Sequence, residues 1–313
     1  MSFDERKMIR PKVLVLLAAF NGSKWILQQV ESILCQVNVD IHLIISDDGS
    51  TDGTRATIDQ LTADHRVHVV TPAAPTRSAA QNFLWLIRNT PADEYDFISF
   101  ADQDDVWQED RIFRGCSDLI KSNAQGYSSA VIAFWSDGRK STLTPVKTPT
   151  ASDFLFESAG QGCTYVLDRT FYRRLRAFFI DHGSETQLLH YHDWAIYALS
   201  RTWKLRWAFD TKPSLSYRQH EKNDTGARTS LDGVLKRIGR IKDGWYSHQL
   251  RTIANICVAA SPADPVISEW HDLLVQPRGF SRRWGMVRFC LRGGRRRLYD
   301  KAILVSAVVA GWI

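Results

Sequence analysis

Lys12 to Phe20 reads KVLVLLAAF, with no polar side chain after the first residue. A strand apolar on both faces must be covered on both faces, which calls for a sheet sandwiched between helices. The residues that follow repeat the unit. Lys24 to Gln36 carries Ile26, Leu27, Val30, Ile33 and Leu34 at helical spacing. Ile41 to Ser46 is a second apolar strand, running into Asp47-Asp48-Gly49-Ser50-Thr51-Asp52-Gly53-Thr54. There Gly49 and Gly53 allow tight turns, and Ser50 or Asp52 can cap a helix from about Thr54 to Leu61. Val67 to Val70 is a short strand, Ser78 to Arg88 a helix with Phe83, Leu84 and Ile87 on one side, and Tyr95 to Phe100 a further strand. Strand–helix units of about 25 residues predict an α/β fold: a Rossmann-like, mostly parallel sheet flanked by helices, with right-handed crossovers. Such sheets bind ligands beyond the carboxyl ends of their strands. Phe20-Asn21-Gly22, Asp47-Asp48 and Asp102 to Asp105 all fall at those ends.

Asp102, Asp104 and Asp105 crowd into four positions. Without a partner they repel, and at least one pKa rises. A divalent cation removes the conflict, and Mg²⁺ typically takes one or two carboxylates, waters and substrate phosphate oxygens. The D-x-D spacing allows Asp102 and Asp104 to share one ion. The competing reading is a solvated loop in which Asp105 caps the helix containing Arg111 and Ile112. A carboxylate-held metal with phosphate as the missing ligand implies a nucleotide substrate. No G-x-x-x-x-G-K-[ST] and no G-x-G-x-x-G after a strand is present, which disfavours ATP hydrolysis and dinucleotide redox chemistry. Asp48 can accept from a pyrimidine N3–H, selecting uracil or thymine, or can close an Asx-turn.

Together, Ala19-Phe20-Asn21-Gly22, Ser46 to Thr54 and Asp102-Gln103-Asp104-Asp105-Val106-Trp107 resemble the family-2 inverting glycosyltransferases, enzymes with a GT-A-type fold. F-A-D-Q-D-D-V-W-Q-E-D-R, His192-Asp193-Trp194 and Tyr217-Arg218-Gln219-His220 with Asn223 are similar to the rhamnosyltransferase-like branch. The resemblance covers about Lys12 to Ala227. It implies a glycosyltransferase domain over 1–227, with a nucleotide-binding half at about 12–110 and an acceptor half at about 111–227. A helical, basic region follows over 228–313. The resemblance also implies roles. Asp48 contacts the base, with Ala19, Phe20, Asn21 and Gln103 beside the donor. Asp104 is the principal carboxylate for Mg²⁺ or Mn²⁺, with Asp102 near the ribose or metal and His220 facing the diphosphate or metal. Arg218 adds positive charge there, and Asn223 lies close by. Asp193 is the catalytic base, taking the acceptor hydroxyl proton during in-line displacement; an ordinary carboxylate pKa suffices for it.

Other readings compete in the second half. Asp193 can cap a helix over Ala195 to Arg201, and Asp137 is the next candidate base. His190 and His192 read as structural, and His220 can be so too. Gly162, within Gly160-Gln161-Gly162-Cys163, can bring backbone close to an acceptor sugar. Trp107 and Trp194 stand beside site carboxylates, where they can stack on sugar or fill the core. The expected activity is transfer of L-rhamnose from dTDP-β-L-rhamnose to a saccharide or lipid-linked acceptor of a cell-surface polysaccharide or lipopolysaccharide. The alternatives are a UDP-hexose or other deoxysugar donor, an inactive nucleotide-sugar-binding relative, or a nucleotidyltransferase.

The net charge is +6, but it is unevenly placed. From Arg278 to Lys301 nine basic residues face Asp300 alone, a net +8 over 24 residues, interleaved with Phe280, Trp284, Met286, Val287, Phe289 and Leu291. The uncharged run Ala302 to Ile313 is too short for a bilayer, which needs about 20 apolar residues. A basic, aromatic stretch with a short apolar tail suits an anionic membrane face. The alternatives are packing on the main domain or a nucleic-acid patch, and no nucleic-acid motif accompanies the arginines. Five widely spaced cysteines without C-x-x-C argue against disulfides and zinc. With no apolar leader at the start, the expected place is cytoplasmic, peripheral on the inner face of the cytoplasmic membrane.

Overall fold

The apolar run becomes β1 (Lys12–Ala19), whose Val13 to Leu17 have no exposed surface. It lies between two parallel neighbours, β2 (Asp40–Asp47) and β4 (Phe97–Asp102), with β3 (Val67–Val70) beyond β2. The computed structural model describes residues 10–220, 239, 241 and 243–313. Between these strands run α1 (Ile26–Leu34), α2 (Thr54–Leu61) and α3 (Ala79–Asn89). Ser78 caps α3 by accepting from the Gln81 N–H. Asp52 works from one position before the α2 cap, Gly53, accepting from the Thr54 N–H at 3.1 Å.

The second half adds β5 (Val106–Trp107), α4 (Arg111–Ser122), β6 (Gly126–Trp135), β7 (Lys140–Leu143), β8 (Val166–Asp168), α5 (Arg169–Asp181), α6 (His192–Thr202) and β9 (Trp207–Gln219). Among the described residues nine strands form one sheet in the order β3-β2-β1-β4-β8-β6-β9-β5, with β7 on β6. β8 enters antiparallel between β4 and β6, while β6 and β9 run parallel through a bulged register. The first half is thus a parallel sheet, and the mixed half is built on its edge.

The two faces of β1 feed two cores. Val13, Val15 and Leu17 join α1, α2 and α4. Leu14 and Leu16 join α3, α5 and α6. The C-terminal helices α7 (Trp245–Ala260), α8 (Pro265–Val275), α9 (Phe280–Gly293) and α10 (Leu298–Val309) belong to the second core. Trp270 of α8, fully buried, stacks on Phe289 at 5.0 Å between ring centres and meets Phe156 at 4.7 Å. The described C-terminal helices therefore share a core with the α/β part. The expected boundary near residue 227 lies outside the described residues.

Candidate active site

The rim is held by its own side chains. Gln103 pairs with the Phe20 backbone in both directions, accepting from its N–H and donating to its carbonyl at 2.8 Å each. A Cβ on Gly22 would stand 2.2 Å from the Gln103 Oε1, so this approach needs glycine. Asn21, at φ 49°, accepts from the Thr51 N–H at 2.8 Å, while its own N–H donates to Ser50. Ala19 is buried and offers the rim its carbonyl, which accepts from the Asp48 N–H at 2.9 Å. Phe20 is the exposed side chain of this group.

Asp48 holds the Thr76–Arg77 turn. It accepts from the Thr76 N–H (2.6 Å), the Thr76 hydroxyl (2.9 Å) and the Arg77 N–H (3.0 Å). A carboxylate offers about four acceptor positions. Three are used, so Asp48 is first a loop organiser, with one position left on Oδ1.

The crowded carboxylates separate into distinct roles. Asp105 is buried, and its pKa is pushed well above the usual carboxylate range, by burial first and then by Asp104 and Asp102. It caps no helix, since α4 starts after Asp110. It accepts from the Arg218 N–H at 3.2 Å, and the Cys163 thiol lies within 4.8 Å of its carboxylate. Asp104 meets His220: Nε2 lies 2.7 Å from Oδ2, and the imidazole stacks on Trp25 at 4.3 Å. Asp102, Asp105 and Cys163 have potential ligand atoms within 4.8 Å of one another. Mg²⁺ and Mn²⁺ favour oxygen donors, and burial raises the Cys163 thiol well above its ordinary pKa. The thiol is a poor ligand for them, and Asp104 and His220 lie outside this group, paired instead with each other. Arg218 braces this turn, donating from Nε to the Asp104 carbonyl (2.8 Å) and from Nη2 to Gln28 (2.7 Å). Asn223 lies outside the described residues.

Asp193 stands apart. The helix begins three residues earlier than the capping reading required, at His192, so Asp193 lies in its first turn and Tyr191 is the cap. Its Oδ1 accepts from the Trp194 N–H at 2.8 Å. Burial raises its pKa to about 6, rather than leaving it ordinary, and hydrogen bonds from Trp194 and Ser158 oppose the rise. A Cβ on Gly162 would lie 2.9 Å from both the Asp193 Cβ and the His192 Nε2, so the Gly162 backbone packs against these two side chains. His192 packs on Phe83 at 4.0 Å, and burial lowers its pKa to about 3.

Both tryptophans belong to the core, not to a stacking platform. Trp107 and Trp194 are each 4% exposed. Trp107 lies under the Arg111 guanidinium, 3.6 Å from its ring centre. The Trp194 indole donates to the Phe154 carbonyl at 2.8 Å. Asp137 is exposed at the β6–β7 turn and paired with Arg139 at 2.7 Å.

Sequence reasoning missed two residues that join the halves. Buried Arg111 donates to the Ser99 hydroxyl of β4 and to the Cys163 carbonyl. Cys163 is buried, with its thiol within 4.8 Å of the Asp102 and Asp105 carboxylates. Gly162 and Cys163 are adjacent, one against Asp193 and the other against Asp105, so a single turn links the two carboxylate sites.

Residues 14–182 match the model for glycosyl transferase family 2, more than half of the chain. The chain belongs to glycosyltransferase family 2. A relative, the dTDP-rhamnosyl transferase RfbG of Shigella flexneri, is 38% identical over 241 residues, covering 76% of this chain and 83% of the relative. Among solved structures, S. aureus TarS 1-349 in complex with UDP-GlcNAc superposes with TM-score 0.57 at 14% identity, covering 96% of this chain and 80% of TarS 1-349. The mannosyltransferase PcManGT from Pyrobaculum calidifontis, in complex with GDP-Man and Mn²⁺, gives TM-score 0.51 at 16% identity, covering 98% and 82%. The family-2 chain is an enzyme, a glycosyltransferase with a GT-A-type fold and a C-terminal helical region.

Proposed function

We propose that this family-2 enzyme transfers L-rhamnose from dTDP-β-L-rhamnose, with inversion, to a saccharide acceptor of a cell-surface polysaccharide or lipopolysaccharide. The observation that supports the reading is the Gly162–Cys163 turn, whose first residue packs on Asp193 and whose second lies within 4.8 Å of the Asp102 and Asp105 carboxylates. The similarity to a dTDP-rhamnosyl transferase supports the donor. The remaining acceptor position on Asp48 Oδ1 suits a thymine or uracil N3–H. Asp102, Asp104 and His220 would hold Mg²⁺ or Mn²⁺. When bound, that ion offsets negative charge on the departing diphosphate. Asp193 takes the acceptor hydroxyl proton, and a pKa near 6 suits a base working at neutral pH. Titration calorimetry with dTDP, UDP and GDP tests the donor: dTDP should bind most tightly, and tighter GDP binding than both others would overturn the assignment.

We also infer that the enzyme works at an anionic membrane face, where a lipid-linked acceptor is presented. Phe280, Trp284 and Leu291 lie exposed on one side of α9, and Leu298 and Tyr299 continue the patch, with Phe280 84% and Leu298 82% exposed. Arg278, Arg283, Arg288 and Arg297 are exposed around them. The full +8 does not face outward: Arg282 donates inward to the Leu273 carbonyl, and Arg295 and Arg296 turn toward Glu157. Among the described residues no helix is long and apolar enough to cross a membrane. Phe280→Ser with Trp284→Ser should abolish flotation with anionic liposomes; unchanged flotation would remove the membrane reading.

A further inference from the structure

Trp25 and Gln28 belong to none of the sequence motifs, yet both touch the end of β9. Trp25 is the cap of α1 and Gln28 lies three positions on, so the two share one side of the helix start. Arg218 and His220, two apart at the end of β9, likewise share a side. The two pairs meet. The His220 imidazole lies on the Trp25 indole, 4.3 Å between ring centres and 12° from parallel. The Gln28 side-chain carbonyl accepts from Arg218 Nη2 at 2.7 Å. Trp25 is itself tied to the rim, its N–H donating to the Gly22 carbonyl at 2.9 Å. The Gly22 N–H in turn donates to the Thr54 hydroxyl at 2.8 Å. Beyond the stack, His220 Nε2 lies 2.7 Å from Asp104 Oδ2. Indole, imidazole and carboxylate thus follow one another from the rim to the acidic turn.

We propose that Trp25 is a positioning residue for the donor diphosphate, acting through His220. The inference rests on the reading that places His220 at that diphosphate. The outer torsion of a histidine side chain is soft, with broad wells. The contact with Asp104 fixes one ring nitrogen but leaves the ring plane free to turn about it. A parallel indole face removes that freedom, since aromatic rings in contact favour offset stacking. The hydrogen bond therefore sets where the imidazole points, and the stack sets how it is turned. Arg218 holds the main chain separately. Its N–H donates to Asp105 Oδ1 at 3.2 Å, its Nε donates to the Asp104 carbonyl at 2.8 Å, and its guanidinium lies 4.8 Å over the Phe134 ring. Loss of the indole would thus loosen the ring of His220 and leave its backbone in place. Trp25 is also half-buried and, among the described residues, joins neither core, so the fold does not depend on its bulk.

Variants of the full chain test this. Trp25→Leu should lower kcat about tenfold at saturating donor, because a misplacement of about 1 Å can cost roughly 10²-fold. Trp25→Phe, which keeps a flat face, should stay within about twofold of wild type. Combined with His220→Ala, Trp25→Leu should add nothing to the loss that His220→Ala causes alone, since the indole acts only through the ring it holds. In the metal-free protein, the His220 ring protons lie over the indole face and should move downfield in the NMR spectrum of Trp25→Leu. Should Trp25→Leu fail to fold, Trp25→Met, longer and equally without a flat face, takes its place. Wild-type kcat in Trp25→Leu beside an impaired His220→Ala overturns the positioning role and leaves His220 in the site. Unmoved ring protons, or losses that multiply in the double variant, overturn it as well. Wild-type kcat in His220→Ala overturns the reading of His220 and this inference with it.

Discussion

Two carboxylates, buried Asp105 and half-buried Asp193, both have raised pKa values, for different reasons. Asp105 is raised by burial and by two like charges in its own turn. Asp193 is raised by burial with no carboxylate among the causes. The first environment crowds like charges together, a conflict a cation would relieve. The second isolates one carboxylate near neutrality and suits proton transfer. Environments that differ in this way can give chemically identical aspartates different roles.

The largest expected effect falls on the crowded side. Asp104→Ala, or chelation of the metal, should abolish transfer, because Asp104 is the carboxylate that meets His220. Full turnover in excess chelator would collapse the distinction. Asp193→Asn should lower turnover by roughly 10²–10⁴, the usual contribution of a general base. Donor affinity and melting temperature should stay close to wild type, since Asn serves the first turn of a helix nearly as well. A large loss of dTDP affinity instead would place Asp193 on the donor side.

The pH profile sharpens the contrast. If Asp193 is the base it acts as a carboxylate, and burial raises its pKa to about 6. Activity should therefore be level above that value and fall about tenfold per pH unit below it. A profile flat down to pH 4.5 would show that no buried carboxylate limits the rate. The smallest effect is expected at Trp107→Phe. Loss of core volume should cost about 1–2 kcal/mol in denaturant unfolding, with donor and acceptor KM unchanged. A raised acceptor KM would restore the stacking role.

The parallel half was legible because two-sided burial writes a strand as an unbroken apolar run, as in Lys12 to Phe20. The expected helix from Thr54 to Leu61 and strand from Val67 to Val70 have the observed limits. The mixed half was harder, because β5, β7 and β8 are two to four residues long and take their pairing from distant partners. In the site, crowding at Asp102 to Asp105 was readable as charge arithmetic. Side-chain direction was not: Trp107 and Trp194 flank carboxylates in sequence yet point into the core. The inward turn of Arg296 was equally hidden, because Glu157 lies 139 positions away.

The reciprocal bonds between Gln103 and the Phe20 backbone, with those of Asn21, Asp48 and Asp52, have a consequence for how the donor is received. Fixing one residue's backbone costs about 1–2 kcal/mol in entropy. Here the loops are ordered by one another during folding, before any nucleotide arrives. Recognition on this side is then close to lock-and-key, and heat capacity changes on dTDP binding should reflect the surface covered by the nucleotide alone, with no added folding signature.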